Sequence, residues 1–200
     1  MNSAFATKDF ASLIAKGPFA VIVADPPWNY YGSPTKWAAA GKFYNLMSDE
    51  ELQSLPVPKL YHKNTVMFMW ATSSSLERSI NLLRAWNLYY RGVAFVWLKT
   101  TQTGQLIGAQ GVRPSITKPL SEFVIAGSTI ERGRPLDLFD ESIVQTVLAP
   151  KTRHSEKPSA VMDRLERMYP QCRKAELFCR SPRPSWYSWG NEVVATTGAQ

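Results

Sequence analysis

Cysteine and histidine are scarce in this chain of 200 residues, which contains two of each. Cys172 and Cys179 are too few and too close together for a disulfide framework, and no second pair completes a zinc site. With only His62 and His154, and with neither a G-x-S-x-G nor an HExxH motif, the sequence argues against a hydrolytic triad or a zinc enzyme. We therefore expect no metal site.

Long hydrophobic runs are also missing. Nowhere do 18 apolar residues follow one another, and the first twenty residues lack a basic start followed by an unbroken apolar stretch. These absences argue against a membrane span and a signal peptide. We expect no contact with a membrane, and the scarcity of cysteine favours the reducing cytoplasm.

Negative charge is in deficit, since 23 Lys and Arg face 16 Asp and Glu, for a net charge of +7. Residues 151 to 183 hold nine basic and four acidic side chains and so carry +5 of that excess. Clustered cations favour a polyanionic partner, because binding phosphates releases counterions. A solvated surface that keeps the protein soluble explains the charge equally well.

Short apolar runs rich in β-branched and aromatic residues recur along the chain. They predict strands at 19–24, 65–70, 93–98, 122–126, 143–148 and 174–179. Helical spacing predicts helices at 47–55, along the stretch with Leu76, Ile80 and Leu83, and at 159–169. Ser48 and Glu51 form an expected capping box, and Ser159 is the expected cap of the last helix. The alternation predicts an α/β fold with a mostly parallel sheet.

The domain organisation is simple, because the chain has no internal repeat, linker or low-complexity tract. Residues 28–45 and 99–121 are expected to be loops, and loops of this length inside a compact domain usually carry function. We predict one domain at 19–194, preceded by an N-terminal segment at 1–18 and followed by a tail at 195–200.

The sequence Asp25-Pro26-Pro27-Trp28 directly follows the predicted strand 19–24. Ligands bind beyond the carboxyl ends of parallel strands, so this carboxylate and indole are expected at the catalytic edge of the sheet. The two prolines restrict the backbone, and we expect them to leave loop carbonyls without local amide partners. Asp25 and the Pro26 carbonyl can then accept from an exocyclic amine while Trp28 stacks on its ring. A strand end with a core tryptophan, or a polyproline ligand, is the alternative.

These four residues resemble the DPPW motif of the adenine-specific amino-methyltransferases known as the MT-A-seventy family. That family includes the catalytic subunit of the eukaryotic messenger-RNA adenosine methyltransferase and many bacterial and phage DNA enzymes. Five further segments are similar to the family pattern and occur in its order: Lys42-Phe43-Tyr44, Phe95-Val96-Trp97-Leu98-Lys99, Arg153-His154-Ser155-Glu156-Lys157-Pro158, Glu176-Leu177-Phe178 and Trp189-Gly190-Asn191-Glu192-Val193. The resemblance covers about residues 19 to 194 and implies a Rossmann-like methyltransferase of the permuted type, in which the catalytic loop precedes the cofactor-binding strand.

The resemblance also implies a cofactor, S-adenosylmethionine, and a set of site residues. Asp25, Pro26, Pro27 and Trp28 would form the catalytic loop. The cofactor would be held by Asp25, Lys157, Glu176, Phe178, Arg180, Asn191 and Glu192. Cys179 stands where Gly or Ala is common in the family, and we interpret it as a small buried hydrophobe rather than a nucleophile.

Contacts with nucleic acid are expected from two further groups of residues. Tyr30, Tyr31 and Trp37 follow the catalytic motif and are candidates to hold a base flipped out of a duplex. Arg113, Lys118, Lys151 and Arg153 are candidate phosphate contacts. Loop 99–121 departs most from the family pattern, because PSITKPLS separates Arg113 from Glu122.

We expect methyl transfer to the 6-amino group of adenine in nucleic acid, by in-line attack without a covalent intermediate. DNA is preferred over RNA because the chain has no appended RNA-binding module and resembles the minimal bacterial and phage forms. An RNA methyltransferase of the same family and a non-catalytic nucleic-acid-binding scaffold subunit are the alternatives. The sequence leaves the oligomeric state open, a dimer included.

Overall fold

The computed structural model describes residues 5–28, 46–108, 116–152, 156–191 and 193. In that part of the chain the strands are β1 Phe5–Thr7, β2 Phe19–Ala24, β3 Tyr61–Ala71, β4 Tyr89–Thr100, β5 Ser121–Ser128, β6 Thr146–Pro150, β7 Lys174–Leu177 and β8 Trp186–Trp189. The α-helices are α1 Phe10–Ile14, α2 Asp49–Ser54, α3 Leu76–Ala85 and α4 Ser159–Met168. Short 3₁₀ turns at Val57–Leu60 and Ser73–Ser75 precede β3 and α3.

All eight strands join one sheet in the order β1-β8-β7-β2-β3-β5-β4-β6. Neighbouring strands are parallel except β5, which runs antiparallel to both β3 and β4. The prediction of an α/β fold with a mostly parallel sheet is therefore confirmed.

The central strands are buried on both faces of the sheet. In β2, Ile22 packs with the core that includes Leu13 of α1 and Leu82 of α3. Val21 and Val23 point to the opposite face and pack with the core that includes α4. Two covered faces explain why β2 reads as an unbroken apolar run rather than an alternating one.

The two predicted helix caps have different outcomes. Ser48 forms the expected capping box with Glu51, because the Ser48 hydroxyl accepts from the Glu51 amide and the Glu51 carboxylate accepts from the Ser48 amide. The prediction that Ser159 caps α4 is wrong. Ser159 is the first helical residue, and extended Pro158 precedes it without a side-chain cap bond.

Strands β3, β4 and β5 extend at both ends beyond the predicted ranges 65–70, 93–98 and 122–126, and two other strands are displaced or shortened. The strand predicted at 143–148 lies at Thr146–Pro150, because it pairs in register with Val96–Thr100 of β4 and leaves Val144 exposed outside the ladder. The strand predicted at 174–179 ends at Leu177, since Phe178 turns into the left-handed region with a φ of 61°. The short strands β1 and β8 were not predicted, because three or four residues are too few to show a hydrophobic period.

One edge of the sheet collects polar residues from distant parts of the sequence. The parallel strands β2, β3, β4, β7 and β8 all end there. The antiparallel strand β5 starts there, with Glu122 paired to Trp97. The carboxyl ends of parallel strands are the usual ligand site of such sheets.

Gly190 allows the ends of β7 and β8 to approach each other at this edge. Its neighbour across the gap is Cys179, whose amide donates to the Trp189 carbonyl at 2.9 Å. A Cβ atom on Gly190 would lie 2.2 Å from the Cys179 carbonyl oxygen. Since that contact is with backbone, no side-chain rotation can relieve it.

We predict that Gly190→Ala lowers the free energy of unfolding by about 1–3 kcal/mol or more, because the clash forces the two strand ends apart. Urea unfolding measures the effect, and Ser181→Ala, exposed on the same edge, is the control. A Gly190→Ala protein as stable as the wild type would contradict the close approach.

Candidate active site

Asp25 lies directly beyond β2 and is held between two cations. Lys157 Nζ is 3.3 Å from Asp25 Oδ1, and Arg180 Nη2 is 3.8 Å from Oδ2. Lys157 comes from the turn before α4, and Arg180 follows β7. The three side chains remain partly accessible, with 22–32% of their surface exposed. The site therefore presents a carboxylate whose position is set by two other elements.

The ion pairing continues into the protein through Glu122. Lys157 Nζ also lies 3.0 Å from Glu122 Oε2, and Lys99 Nζ lies 2.6 Å from the other carboxylate oxygen. Charges of opposite sign thus alternate from Arg180 through Asp25, Lys157 and Glu122 to Lys99. We call these five residues the ion chain.

The pKa values of the two central groups reflect this arrangement. Burial acts to raise the pKa of Glu122, but the charge of Lys157 and the hydrogen bond from Lys99 outweigh it and hold the pKa below its ordinary value. Burial likewise acts to lower the pKa of Lys157, while Asp25 and Glu122 raise it above its ordinary value. Both groups are therefore kept charged.

Two tryptophans flank the lysines of the ion chain. Lys157 Nζ lies 5.3 Å from the centre of the Trp70 ring, and Lys99 Nζ lies 5.0 Å from that of Trp97. The two rings meet edge to face at 6.2 Å, and Trp97 Nε1 donates to the Ala149 carbonyl. These contacts restrict where each ammonium group can move.

The backbone of the Asp25 to Trp28 loop is fixed by hydrogen bonds. The expectation that its carbonyls lack local amide partners is wrong for Pro26, whose carbonyl accepts from the Trp28 amide at 2.9 Å. The Pro27 carbonyl accepts from the Met47 amide, distant in sequence, also at 2.9 Å. The chain turns back on itself after Pro26, which brings the Trp28 amide within reach. A carbonyl oxygen has two lone pairs, so the Pro26 oxygen keeps an acceptor site.

Trp28 is buried, with 7% of its surface exposed, and it belongs to the core that contains Ile22 and Leu52. The guanidinium of Arg78 covers one face of its ring. The alternative interpretation of Trp28 as a core residue therefore describes its packing, although Trp28 follows Asp25 by only three residues.

The segment after β7 packs tightly. Phe178 meets Trp189 edge to face at 5.1 Å. Cys179 has 1% of its surface exposed, and burial raises its pKa to about 12. This agrees with its interpretation as a small buried hydrophobe rather than a nucleophile. Burial also raises the pKa of Glu176 in β7 to about 7.

The remaining predicted site residues divide between the surface and the undescribed segments. Asn191 is exposed directly after Gly190, at the same edge of the sheet as Asp25. Lys118 and Lys151 are exposed on the loops that follow β4 and β6. The others lie outside the described residues: Tyr30, Tyr31, Trp37, Arg113, Arg153 and Glu192.

Most cations of the basic segment 151–183 have carboxylate partners. Besides Lys157 and Arg180, these are Arg167 with Asp140, Lys174 with Glu166, and Arg183 with Asp163. Much of its excess charge is thus neutralised by nearby groups of the protein. The charge excess of this segment is accordingly a weaker indication of a polyanionic partner than the sequence suggested.

Sequence reasoning assigned no site role to Glu122, Lys99 or Trp70. The available signal was positional, because each lies at or near a strand end on the ligand-binding edge. It was obscured for Glu122, since β5 is antiparallel and brings its first rather than its last residues to that edge.

The described residues contain neither a metal-binding cluster nor a membrane-spanning helix. No group of three or more His, Cys, Asp or Glu that could hold a metal ion occurs among them. No helix in the described part is long and apolar enough to cross a membrane.

A mostly parallel sheet with a carboxylate-proline-proline-tryptophan loop and a Glu-Leu-Phe segment at one edge is consistent with the class of Rossmann-like methyltransferases. The MT-A70 family model matches residues 19–192, and the chain belongs to the MT-A70 family. Methyltransferases of this family use S-adenosylmethionine as the methyl donor.

Individual relatives come from bacteria and eukaryotes. The chain is 31% identical over 194 residues to the type II methyltransferase M.MunI of Mycoplasma sp, covering 88% of this chain and 78% of that protein. It is 30% identical over 188 residues to a Drosophila melanogaster N(6)-adenosine-methyltransferase MT-A70-like protein, covering 92% and 28%. It is 27% identical over 185 residues to human N(6)-adenine-specific methyltransferase METTL4, covering 88% and 38%. The chain thus spans under two fifths of these eukaryotic relatives.

We predict that Glu122→Gln lowers the free energy of unfolding by about 2–4 kcal/mol at pH 7, because two poorly solvated lysines lose their shared partner. Folding lowers the pKa of the Glu122 carboxyl, so this residue stabilises the folded protein fully at pH values above its pKa in the unfolded chain. That stabilisation is lost as the pH falls through the pKa of Glu122 in the folded protein. Urea unfolding at pH 7 measures the loss. The control is Glu141→Gln, which breaks an exposed pair with Arg134 and should cost less than about 1 kcal/mol. Equal losses in the two variants would contradict the prediction.

For Glu176 we predict that the free energy of unfolding depends on pH in the opposite direction. Its pKa rises on folding from 4.5 to about 7, so the folded protein keeps a proton that the unfolded chain loses between these values. The free energy of unfolding then falls as pH rises through this window. We predict that Glu176→Gln raises it by about 1–3 kcal/mol relative to wild type at pH 8 and changes it little at pH 5. The same difference at both pH values, measured by urea unfolding, would count against the buried carboxyl.

Proposed function

We propose that this methyltransferase acts on the 6-amino group of adenine in DNA. The proposal is carried by Asp25, a partly accessible carboxylate fixed between Lys157 and Arg180 and adjacent to the Pro26 carbonyl. An exocyclic amine donates two hydrogen bonds, and these two oxygens are suitable acceptors for it.

The residues present fit the proposed cofactor chemically. Lys157 and Arg180 supply positive charge for its carboxylate, Asp25 can accept from its α-amino group, and Asn191 and Glu192 can bind its ribose hydroxyls. Glu176 in β7 and Phe178 directly after it would line the cofactor site from the end of that strand. When bound, S-adenosylmethionine supplies an electrophilic methyl group on a sulfonium.

Asp25 orients the target amine rather than acting as a strong base. A hydrogen bond from the amine to Asp25 turns the nitrogen lone pair toward the methyl donor and strengthens it as a nucleophile. As the nitrogen bonds the methyl carbon, the carbon–sulfur bond would break with its electron pair left on sulfur as a neutral thioether. The nitrogen would release its proton to solvent at this partly accessible site during or after transfer, and no covalent enzyme intermediate forms. Most of the catalysis then comes from positioning.

Glu122 and Lys99 support this arrangement through the ion pair of Glu122 with Lys157. Lys157 is drawn toward Glu122 at 3.0 Å as well as toward Asp25 at 3.3 Å, so its ammonium group is held between two carboxylates. A fixed ammonium keeps Asp25 from rotating away from the target amine. We propose that the ion chain fixes the orientation of the Asp25 carboxylate before the substrate binds.

We propose nucleic-acid contacts for three aromatic residues that follow the motif in sequence and for four cations elsewhere in the chain. Tyr30, Tyr31 and Trp37 would hold a flipped adenine, and Arg113, Lys118, Lys151 and Arg153 would contact phosphates. For Trp28 we propose that it supports the turn, because its ring is buried and Arg78 covers one face.

We propose DNA as the substrate because the chain is 31% identical to a type II methyltransferase. An RNA adenosine methyltransferase is the second candidate, favoured by the names of several eukaryotic relatives. The cytoplasm is the compartment that we propose, in line with two free thiols.

We predict that the wild type transfers labelled methyl from S-adenosylmethionine to DNA oligonucleotides, and that Asp25→Ala slows transfer by about 100-fold or more because the amine loses its acceptor. RNA oligonucleotides of matched sequence are tested in parallel. Asp163→Asn, which breaks an exposed ion pair with Arg183, is the control and should retain activity.

Each outcome separates the candidates. Activity unchanged by Asp25→Ala would overturn the proposed mechanism. Faster labelling of RNA would favour the RNA enzyme. A wild type that binds oligonucleotide without cofactor binding in a thermal-shift titration would favour the scaffold subunit.

A further inference from the structure

Trp28 is held from one side by an arginine that belongs to another element. The Cζ atom of Arg78, in the first turns of α3, lies 4.7 Å from the centre of the Trp28 ring. Trp28 is nearly buried, so this guanidinium covers a ring that solvent hardly reaches. A cation over an indole face is attracted to the ring quadrupole, and more strongly where water is excluded.

The guanidinium is itself fixed by Asp49. Arg78 Nε lies 3.1 and 3.3 Å from the two carboxylate oxygens of Asp49, and Nη2 donates to the same carboxylate. Asp49 is the first residue of α2, whose start is fixed by the capping box of Ser48 and Glu51. The plane of Arg78 is therefore set by a rigid helix start.

The start of α2 also holds the catalytic loop through the main chain. The Met47 amide donates to the Pro27 carbonyl at 2.9 Å, and Met47 pairs with Trp28 in an isolated parallel bridge. The connections form a closed ring from Trp28 through Arg78 and Asp49 to Met47 and back to Pro27. Loss of one connection leaves the loop attached at a single side.

We propose that Arg78 is a positioning residue for the catalytic loop, and that it acts by clamping Trp28 against the start of α2. The catalytic consequence rests on the proposed function. Arginine suits the role because its planar guanidinium can stack on the indole and bind a carboxylate with two nitrogens at once, which a lysine ammonium cannot do. Asp25, three residues before Trp28 and separated from it by two stiff prolines, follows the position of the ring.

The first test measures the loop without using activity. Arg78→Met keeps a long apolar stem but removes the cation, and Arg84→Met makes the same change at an exposed position of the same helix. We expect amide hydrogen exchange at Met47 and Trp28 to become about tenfold faster in Arg78→Met and to stay at the wild-type rate in Arg84→Met. Unchanged exchange in Arg78→Met would overturn the clamp.

The second test separates positioning from general stability. In Arg78→Met we expect kcat for methyl transfer to fall about tenfold or more, while the Kd for S-adenosylmethionine stays within about twofold, because every proposed cofactor residue except Asp25 lies on another element. Asp49→Asn should lower kcat similarly, and the double variant should be no worse than Arg78→Met alone. Arg78→Lys, which keeps the charge without the planar fork, should not restore kcat.

The outcomes distinguish this inference from the proposed function. A lower melting temperature with unchanged kcat and unchanged exchange would reduce Arg78 to a stabilising residue and overturn the proposal. Additive losses in the double variant would show that Arg78 and Asp49 act separately, against the clamp. If the wild type transfers no methyl group but the exchange rates respond as expected, the clamp stands and the proposed function fails.

Discussion

The ion chain is the interaction on which the site depends. Each of its five members comes from a different element, and each neighbour in the chain carries the opposite charge. A single buried lysine or glutamate here would face a large desolvation cost. Alternation lowers that cost, because every charge has a partner on one side or both. The same pairing ties the loop after β2 to β4, β5, the turn before α4 and the end of β7.

These ion pairs change how the positive charge of residues 151 to 183 is interpreted. Five of their nine cations pair with carboxylates of the protein, so those five do not form a free surface for phosphates. Lys157 and Arg180 face Asp25 instead. We propose that this part of the basic character belongs to the site around Asp25 rather than to a phosphate-binding surface.

The catalytic loop is fixed on a second side by α2 and α3. Pro27 is bound by the Met47 amide, and Trp28 is packed under Arg78. The ion chain sets the carboxylate end of the motif, and these contacts set its indole end. A four-residue motif held at both ends is stiff, which suits a reaction that depends on the alignment of an amine with a methyl donor.

The sequence by itself determined the elements with long periodic patterns and the motif that follows one of them. Strand β2, helices α3 and α4 and the capping box of α2 could be predicted because their signals are local: an unbroken apolar run, helical spacing and a serine three residues before a glutamate. Asp25 and Lys157 could be singled out for the same reason, from contiguous motifs.

Only the tertiary structure decided which residues share the site. Glu122 lies 94–97 positions and Arg78 50–53 positions from the motif. Glu122 supports the motif through Lys157 and Arg78 supports it directly, and no local pattern marks either residue. The antiparallel direction of β5 brings Glu122 to the edge, and the packing of α3 on α2 brings Arg78 over Trp28. Long-range pairing of this kind depends on how strands and helices are ordered in space, which periodicity along the chain does not encode.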